Sequence, residues 1–231
     1  TFTIKTIMKY LIKFPSRSRP DRFKEALDSY VKHASDLTQI HFLFSFDEDD
    51  LYLPQYLKIV ENAPVKSRTY IGTSLGKVHA INRDLNEFLN EVGQQKFDII
   101  ILASDDFVVV QPFQDIINDK AKEHGLDRVF WFHDNNQGRL NTYSVLGIKY
   151  YLRFNYLYNP QYASLFCDNE FHEVAVRDGK MNIEPYPCIA EHRHPMLNKL
   201  YKTDELYRKN ESFWNQDQEL YHARKARNFT N

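Results

Sequence analysis

The sequence predicts an α/β fold in which a mostly parallel sheet is flanked by helices. Strand and helix patterns alternate through the first half of the chain, which is typical of a parallel, doubly wound sheet. The run that begins at Phe97 contains consecutive isoleucines and a leucine, as in a strand buried on both faces. This strand ends at two adjacent carboxylates, Asp105 and Asp106. Ligands bind beyond the carboxyl ends of strands in open α/β sheets, so these acids either face a ligand or cap a turn.

Local patterns predict the remaining elements. Strands are expected at residues 6–14, 40–46 and 66–71, with amphipathic helices at 20–34, 54–60 and 78–89. Ser18 is expected to cap the first of these helices, with Pro20 early in it. After Pro112, a helix is expected at 115–124 and strands at 128–132 and 142–148. Aromatic residues crowd the chain beyond that point.

Composition narrows the class of protein. Hydrophobic residues make up 42% of the 231 residues, which is enough to bury a full core. The net charge of -1 leaves no general basic field for nucleic-acid binding. The two cysteines, Cys167 and Cys188, imply no disulfide framework. No run approaches the ~18 apolar residues of a membrane span. The N-terminus lacks the apolar block of a signal peptide, so we expect a soluble, cytoplasmic protein.

Polar side chains also follow the other predicted strands. Arg17 and Arg19 leave the first strand, and Asp47 leaves the second. Lys77 and Asn82 open the helix after the third strand. Arginine can contact phosphate or a base, and a carboxylate can accept the N–H of a base. Each residue alone is an ordinary surface group. Their shared position at one edge of one sheet predicts a nucleotide site.

With these residues at its strand ends, the sequence resembles the GT-A glycosyltransferases, in particular the large inverting family that uses nucleotide-diphosphate sugars. The resemblance covers most of residues 4–115 and lies in the segments Phe14–Pro20, Asp47, Lys77–Asn82 and Ala103–Asp106. It implies a GT-A, Rossmann-like fold in one domain, with no linker inside it. Residues 1–115 would form the nucleotide-sugar-binding half, and residues 116–231 an aromatic-rich acceptor-binding half with C-terminal helices.

The resemblance also implies an activity. The chain would move a sugar from a nucleotide-diphosphate donor, with UDP-sugar as the expected type, to an acceptor hydroxyl with inversion. Mn²⁺ or Mg²⁺ would be the cofactor, since oxygen ligands beside phosphates suit these ions. The acceptor is left open among a glycan, a lipid-linked sugar, a protein and a modified nucleic-acid base.

Site residues follow from the family's motifs. The metal motif is usually Asp-x-Asp, but Ala103 stands where the first Asp would be. The resemblance implies that Asp105 binds the ribose and Asp106 binds the metal, although the reverse assignment stays open. The binding residues it implies are Pro15, Ser16, Arg17, Arg19, Asp47, Lys77, Asn82, Ser104 and Asp105.

Two later segments resemble the family's acceptor side. Phe166–Phe171 is similar to the start of its acceptor helix, which makes Asp168 the candidate catalytic base and Glu170 the alternative. The alternative interpretation is that Asp168 only caps the helix, because Asp is favoured at the N-cap in any protein. The family often has a late histidine that returns to the metal. Of His192 and His194 we expect only one at the site, and we favour His194.

Rival interpretations remain at this stage. A sugar-phosphate nucleotidyltransferase needs a glycine-rich loop after its first strand, whereas none of the 7 glycines precedes Gly72. A non-catalytic nucleotide- or carbohydrate-binding module would share the site but not the base. A structural domain would use the acids only as turn caps. The basic cluster at 224–227 is interpreted as a solvated tail, and Asp204 and Asp217 are given no chemistry.

Overall fold

The computed structural model describes residues 8–136, 138–195, 201 and 203–230, so the predicted strand start at Thr6 lies outside the described residues. The first half contains β1 (Tyr10–Pro15), α1 (Pro20–His33), β2 (Ile40–Asp47), α2 (Leu53–Asn62), β3 (Lys66–Gly72), α3 (Lys77–Asn82), α4 (Leu85–Val92), β4 (Ile99–Leu102) and β5 (Phe107–Val109).

The second half contains α5 (Phe113–His124), β6 (Val129–Phe130), β7 (Val145–Gly147), α6 (Ile148–Tyr151), α7 (Cys167–Arg177), β8 (Ala190–His192), α8 (Glu205–Glu211) and α9 (Trp214–Ala226). Within the described residues, no helix combines the length and the apolar character that crossing a membrane requires. The cytoplasmic location stays a prediction.

The main sheet has six strands in the order β3-β2-β1-β4-β7-β6. Strands β3, β2, β1 and β4 run parallel, and β7 is antiparallel to both of its neighbours. The predicted mostly parallel α/β fold is therefore confirmed. A separate antiparallel pair, β5 with β8, lies beyond the end of β4.

Both faces of the central strands are buried, as their apolar sequences predict. Tyr10, Ile12 and Phe14 contribute to one core cluster, while Leu11 contributes to the other. The first cluster is rich in rings, and Phe14 lies 4.6 Å from Phe23 between ring centroids. Aromatic side chains bury large apolar areas, so much of the high aromatic content stabilises the core.

The strand predicted from Phe97 ends before the two carboxylates, as expected, and β4 spans Ile99–Leu102. Two other local predictions need correction. The helix predicted at 78–89 is broken into α3 and α4, where Asp84 adopts a φ of 70°. Ser18 does not cap α1, which begins at Pro20. Ser18 itself has a φ of 60°, and its backbone N–H donates to Asp50 over 2.7 Å.

The basic C-terminal cluster is a solvated tail only in part, because Lys225 and Arg227 are exposed but Arg224 is buried. Arg224 is only 2% exposed and donates two hydrogen bonds to Glu170, over 2.7 and 2.9 Å. Glu170 also accepts hydrogen bonds from Asn159 and Tyr162. A buried ion pair persists only when such further bonds satisfy its remaining atoms. This pair fixes α9 against α7.

We expect Gly147→Ala to destabilise the fold. A Cβ at Gly147 would overlap the carbonyl oxygen of Leu126. This oxygen belongs to the backbone, so it cannot move aside as the end of a flexible side chain could. Overpacking of this kind typically costs about 1–3 kcal/mol of unfolding free energy. Urea unfolding measures the loss. Gly72→Ala is the matched control, because its nearest neighbour is the Arg83 side chain at 3.7 Å. Equal unfolding midpoints for the two variants would contradict this account.

His41 should make stability depend on pH. Its ring lies 5.0 Å from that of Phe88, and its Nε2 has no hydrogen-bond partner among the described residues. Burial, followed by the charges of Lys66 and Lys96, lowers the pKa of His41 to about 4. The unfolded chain, with a histidine pKa near ~6.5, takes up this proton first as the pH falls.

The free energy of unfolding should therefore decrease as the pH falls from about 6.5 towards 4, and His41 should cause part of this decrease. The variant His41→Phe should lose less stability between neutral pH and acid pH than the wild type loses. Denaturant unfolding at a series of pH values measures the difference. His222→Phe, at an exposed position of α9, is the control. Parallel pH profiles for His41→Phe and the wild type would refute the assignment.

Candidate active site

A cleft of about 440 Å³ opens at the carboxyl edge of the parallel strands. The parallel strands end at the same edge, so their following loops meet there. All but one of the site residues proposed from the sequence line this cleft. They are Pro15, Ser16, Arg17, Arg19, Asp47, Lys77, Ser104, Asp105, Asp106, Asp168 and His194.

Asn82 is the exception. Its side-chain oxygen accepts the backbone N–H of Leu157 over 2.9 Å, and its side-chain nitrogen donates to the carbonyl of Tyr158 over 2.7 Å. These bonds hold the loop at 157–158 against α3. The expectation that Asn82 contacts a nucleotide is therefore corrected, because its amide faces that loop rather than the cleft.

Asp105 is held from two sides. Its carboxylate accepts hydrogen bonds from the Ser16 hydroxyl over 2.7 Å and from the Arg19 guanidinium over 3.0 Å. Burial and the neighbouring charge of Asp106 raise the pKa of Asp105, although Arg19 opposes the shift. The remaining guanidinium N–H groups of Arg19 form two bonds of 2.6 Å to Asp204. Asp204 thus enters the site from the N-terminus of α8.

Asp106 is paired with a histidine. Strand β8 places His192 opposite Phe107, and the two rings stack with centroids 4.2 Å apart. The Nε2 of His192 lies 3.5 Å from Asp106, and its Nδ1 lies 3.4 Å from Asp134. Burial alone would raise the pKa of Asp106, but the bond and charge of His192 lower it below its ordinary value. Burial works against a charged His192, yet both carboxylates raise its pKa to about 9.

The Asp47 carboxylate lies between two arginines. Arg17 donates to one oxygen over 2.9 Å, and Arg83 lies 3.2 Å from the other. Arg83 also donates to the carbonyls of Gly72 and Phe46, over 2.7 and 2.8 Å. It therefore joins the ends of β2 and β3 and orients Asp47. Sequence reasoning missed Arg83, because the helix pattern gave no sign of the break that turns it inward.

Lys77 and Asp168 both line the cleft, from the first turns of α3 and α7. Desolvation would lower the pKa of Lys77, but the negative groups around it, including Asp168 and Asp106, raise it above its ordinary value. The half-buried Asp168 carboxylate accepts the backbone N–H of Asn169 over 3.0 Å. A cation and two carboxylates thus line the cleft.

The loop before Asp168 is held on both sides. The fully buried Asp217 accepts the backbone N–H groups of residues 163, 164 and 165, over 3.0, 2.8 and 2.7 Å. On the other side, a Cβ at Gly76 would lie 2.8 Å from the carbonyl oxygen of Ala163. Gly76 also has a φ of 153°, so only glycine fits well. Asp217, which the sequence analysis gave no role, therefore positions the start of α7.

Both late histidines line the cleft, so the expectation that only one faces it is wrong. Alternate residues of an extended chain share a face, and the rings of His192 and His194 lie 5.0 Å apart. The Nδ1 of His194 is buried and has no hydrogen-bond partner among the described residues. Burial, with the charge of His192, lowers the pKa of His194 to about 4. A neutral imidazole of this kind can bind a metal ion.

Glu170 is separated from this chemistry. It lies outside the cleft, in the buried ion pair with Arg224, and all four of its contacts are structural. Asp168 is therefore the acid of α7 that the fold brings to the cleft, and the alternative of Glu170 as base is corrected.

Comparison with known proteins places the fold. The sequence matches no protein-family model and no curated protein. Its structure resembles many solved structures, of which those described below are glycosyltransferases, and the chain has a GT-A-like fold. The suspected GT-A resemblance is thus confirmed for the fold.

Three solved structures illustrate the likeness. The S. aureus TarS fragment 1-349 in complex with UDP-GlcNAc superposes with a TM-score of 0.61 at 10% identity, covering 86% of this chain and 60% of that one. The mannosyltransferase PcManGT from Pyrobaculum calidifontis, in complex with GDP-Man and Mn²⁺, gives 0.58 at 10% identity, with coverages of 82% and 58%. In a structure of S. aureus TarS with a TM-score of 0.61 at 13% identity, the match covers 81% of this chain and 37% of that one. This chain therefore spans roughly two fifths to three fifths of the length of the structures it matches.

Proposed function

We propose that this chain is a metal-dependent glycosyltransferase that moves a sugar from a nucleotide-diphosphate donor to an acceptor hydroxyl with inversion. One observation carries the proposal. In a GT-A fold, a single cleft brings together the carboxylates Asp106 and Asp168 and the ammonium group of Lys77. UDP-sugars are the first donors to test, since similar structures hold UDP or UDP-GlcNAc, with GDP-Man as the second.

The donor would lie across the ends of the parallel strands. Asp47, fixed by its two arginines, offers a carboxylate to the N–H of a base. Asp105, fixed by Ser16 and Arg19, would bind the ribose hydroxyls. Lys77 then offers a positive charge to the diphosphate. Such preorganised charges stabilise the negative charge that develops on the leaving group.

A divalent cation fits this cleft if the protein and the donor both supply its ligands. Asp106 supplies a carboxylate, and His194 supplies a buried Nδ1 with no partner among the described residues. The described residues contain no cluster of three or more His, Cys, Asp or Glu side chains that could hold a metal alone. Mg²⁺ and its relatives are usually bound by one or two carboxylates together with substrate phosphates. The cation would neutralise the leaving diphosphate when bound.

Asp168 would act as the general base. It lines the cleft at the start of α7, and the hydrogen bonds of Asp217 hold the preceding loop in place. As the acceptor hydroxyl attacks the anomeric carbon, its proton passes to the Asp168 carboxylate and the nucleoside diphosphate leaves. A single base opposite the leaving group gives inversion of the anomeric centre.

A thermal-shift screen of nucleotide sugars, with and without Mn²⁺, tests the donor assignment. A ligand at about 100 times its Kd adds about 2.7 kcal/mol to the stability, which raises the Tm by about 5–11 °C for a domain of this size. We expect one nucleotide class to give this shift, and Mn²⁺ to increase it. Failure of every nucleotide sugar to raise the Tm would refute the proposal. A shift without release of diphosphate, with any acceptor, would indicate a binding module instead.

A further inference from the structure

Trp214 stands out at the mouth of the cleft. It is the first residue of α9, it lines the cleft, and 42% of its surface is exposed. The other tryptophan, Trp131, is 5% exposed and packs in the core. A large aromatic ring that is left in solvent beside a candidate active site usually marks a binding surface.

Phe166 supports the Trp214 ring from the acceptor helix. The two rings meet edge to face, with centroids 5.1 Å apart and planes at 72°. Phe166 has a φ of 59°, in the left-handed region that bulky residues rarely adopt. Strain of this kind persists where the surroundings enforce it, often at ligand sites. Here the preceding loop is held by Asp217, so the aromatic pair has a fixed position two residues from Asp168.

We propose that Trp214 and Phe166 form the acceptor subsite, and that the acceptor is a saccharide whose pyranose ring packs on Trp214. This inference rests on the proposed function and names its acceptor class. A pyranose presents an apolar C–H face together with a rim of hydroxyl groups. The Trp214 ring can pack on the apolar C–H face. The adjoining cleft residues offer polar groups to the hydroxyl groups, and they are Lys209, Asn210 and Glu211. Apolar surface with a few placed polar groups is the usual composition of a small-molecule site.

The charges favour a saccharide over a nucleic-acid base, which would also stack on tryptophan. Single-stranded nucleic acids are bound along a positively charged groove that follows their phosphates. In this cleft Arg17 pairs with Asp47 and Asp49, and Arg19 pairs with Asp105 and Asp204. The wall next to Trp214 also carries Glu211. Among the residues that the structure describes, the cleft mouth therefore offers no continuous basic track for a phosphate backbone.

Fluorescence quenching tests the subsite directly. The chain has two tryptophans, and the core position of Trp131 leaves Trp214 as the one that acrylamide reaches readily. The wild type is titrated with acrylamide in the presence of UDP and Mn²⁺. The added probes are a panel of oligosaccharides of hexose, N-acetylhexosamine and uronic acid, and a single-stranded oligonucleotide. We expect at least one oligosaccharide to protect Trp214 from quenching, and the oligonucleotide to give no protection.

Substitutions then separate the subsite from general effects. Saccharide-observed NMR should show that Trp214→Ala weakens affinity about tenfold or more, as truncation of a central aromatic contact does. Trp214→Phe should recover much of the affinity. Tyr52→Ala is the matched control, because Tyr52 is also 42% exposed but does not line the cleft. It should bind saccharide like the wild type.

Three results would overturn the inference: no oligosaccharide of the panel protects Trp214, the oligonucleotide protects it instead, or Trp214→Ala binds saccharide as tightly as Tyr52→Ala. The UDP and Mn²⁺ thermal shift of the wild type is measured in parallel. If that shift is present and protection is absent, only the acceptor inference fails. If the shift itself is absent for every nucleotide sugar, the proposed function fails first.

Discussion

Asp168→Asn is expected to abolish sugar transfer while the protein still folds and binds its donor. The amide is nearly isosteric with the carboxylate but cannot take a proton from the acceptor hydroxyl. General-base catalysis typically contributes about 10²–10⁴-fold to a rate, so turnover should fall by at least that range. Release of nucleoside diphosphate in the presence of acceptor measures the rate, and a thermal shift with the donor checks that the cleft is intact.

Glu170→Gln is the informative companion, since both acids belong to the first turn of α7. This substitution leaves the Arg224 guanidinium buried beside a neutral amide. Breaking a buried pair typically costs about 3–5 kcal/mol of unfolding free energy. Glu170→Gln should therefore lower stability, and the folded fraction should still turn over. Full turnover by Asp168→Asn, or an inactive but fully stable Glu170→Gln, would contradict the assignment of the base.

Asp106→Ala is expected to remove the metal-dependent part of donor binding. The cation would lose its carboxylate ligand, while Asp134 still contacts His192 and preserves that side of the cleft. In calorimetric titrations, the affinity for nucleoside diphosphate with Mn²⁺ should fall at least about 100-fold, equivalent to ~2.7 kcal/mol. The weaker affinity without Mn²⁺ should change little.

Substitution of the neighbouring Asp105 distinguishes the roles of the two carboxylates. Asp105→Asn keeps the shape of a side chain that is bound by Ser16 and Arg19, and it should leave the Mn²⁺ dependence in place. Donor affinity should fall with or without the metal. If Asp105→Asn removes the Mn²⁺ dependence and Asp106→Ala keeps it, the two roles are exchanged.

Local sequence patterns were enough to predict the fold class and the position of the cleft. A continuous apolar run, as in β4, indicates burial on both faces of a strand, and the carboxyl ends of parallel strands must share an edge. Those two rules suffice to bring Arg17, Asp47 and Asp106 together. The same rules carry no information about the helix break at Asp84, because a single backbone torsion leaves no periodic signal.

Long-range pairings explain what the sequence did not predict. Arg19 meets Asp204, which is 185 residues away in the chain, and Arg224 meets Glu170 across 54 residues. Both carboxylates look like ordinary helix-terminal acids, since Asp and Glu are common in first turns. Only the packing of α8 and α9 gives them partners. For the same reason Asn82, which lies in a matching motif, was assigned to a ligand although it holds a loop. The division of the chain into a donor half and an acceptor half stays a prediction.

The central claim is that a divalent cation joins the Asp106 carboxylate to the diphosphate of a nucleotide donor. A crystal structure with UDP and Mn²⁺, with data collected for the anomalous signal of manganese, tests it most directly. We predict an anomalous peak between Asp106 and the diphosphate, with the base beside Asp47. A nucleotide bound in the cleft with manganese absent from Asp106, or a nucleotide bound elsewhere on the protein, would contradict it.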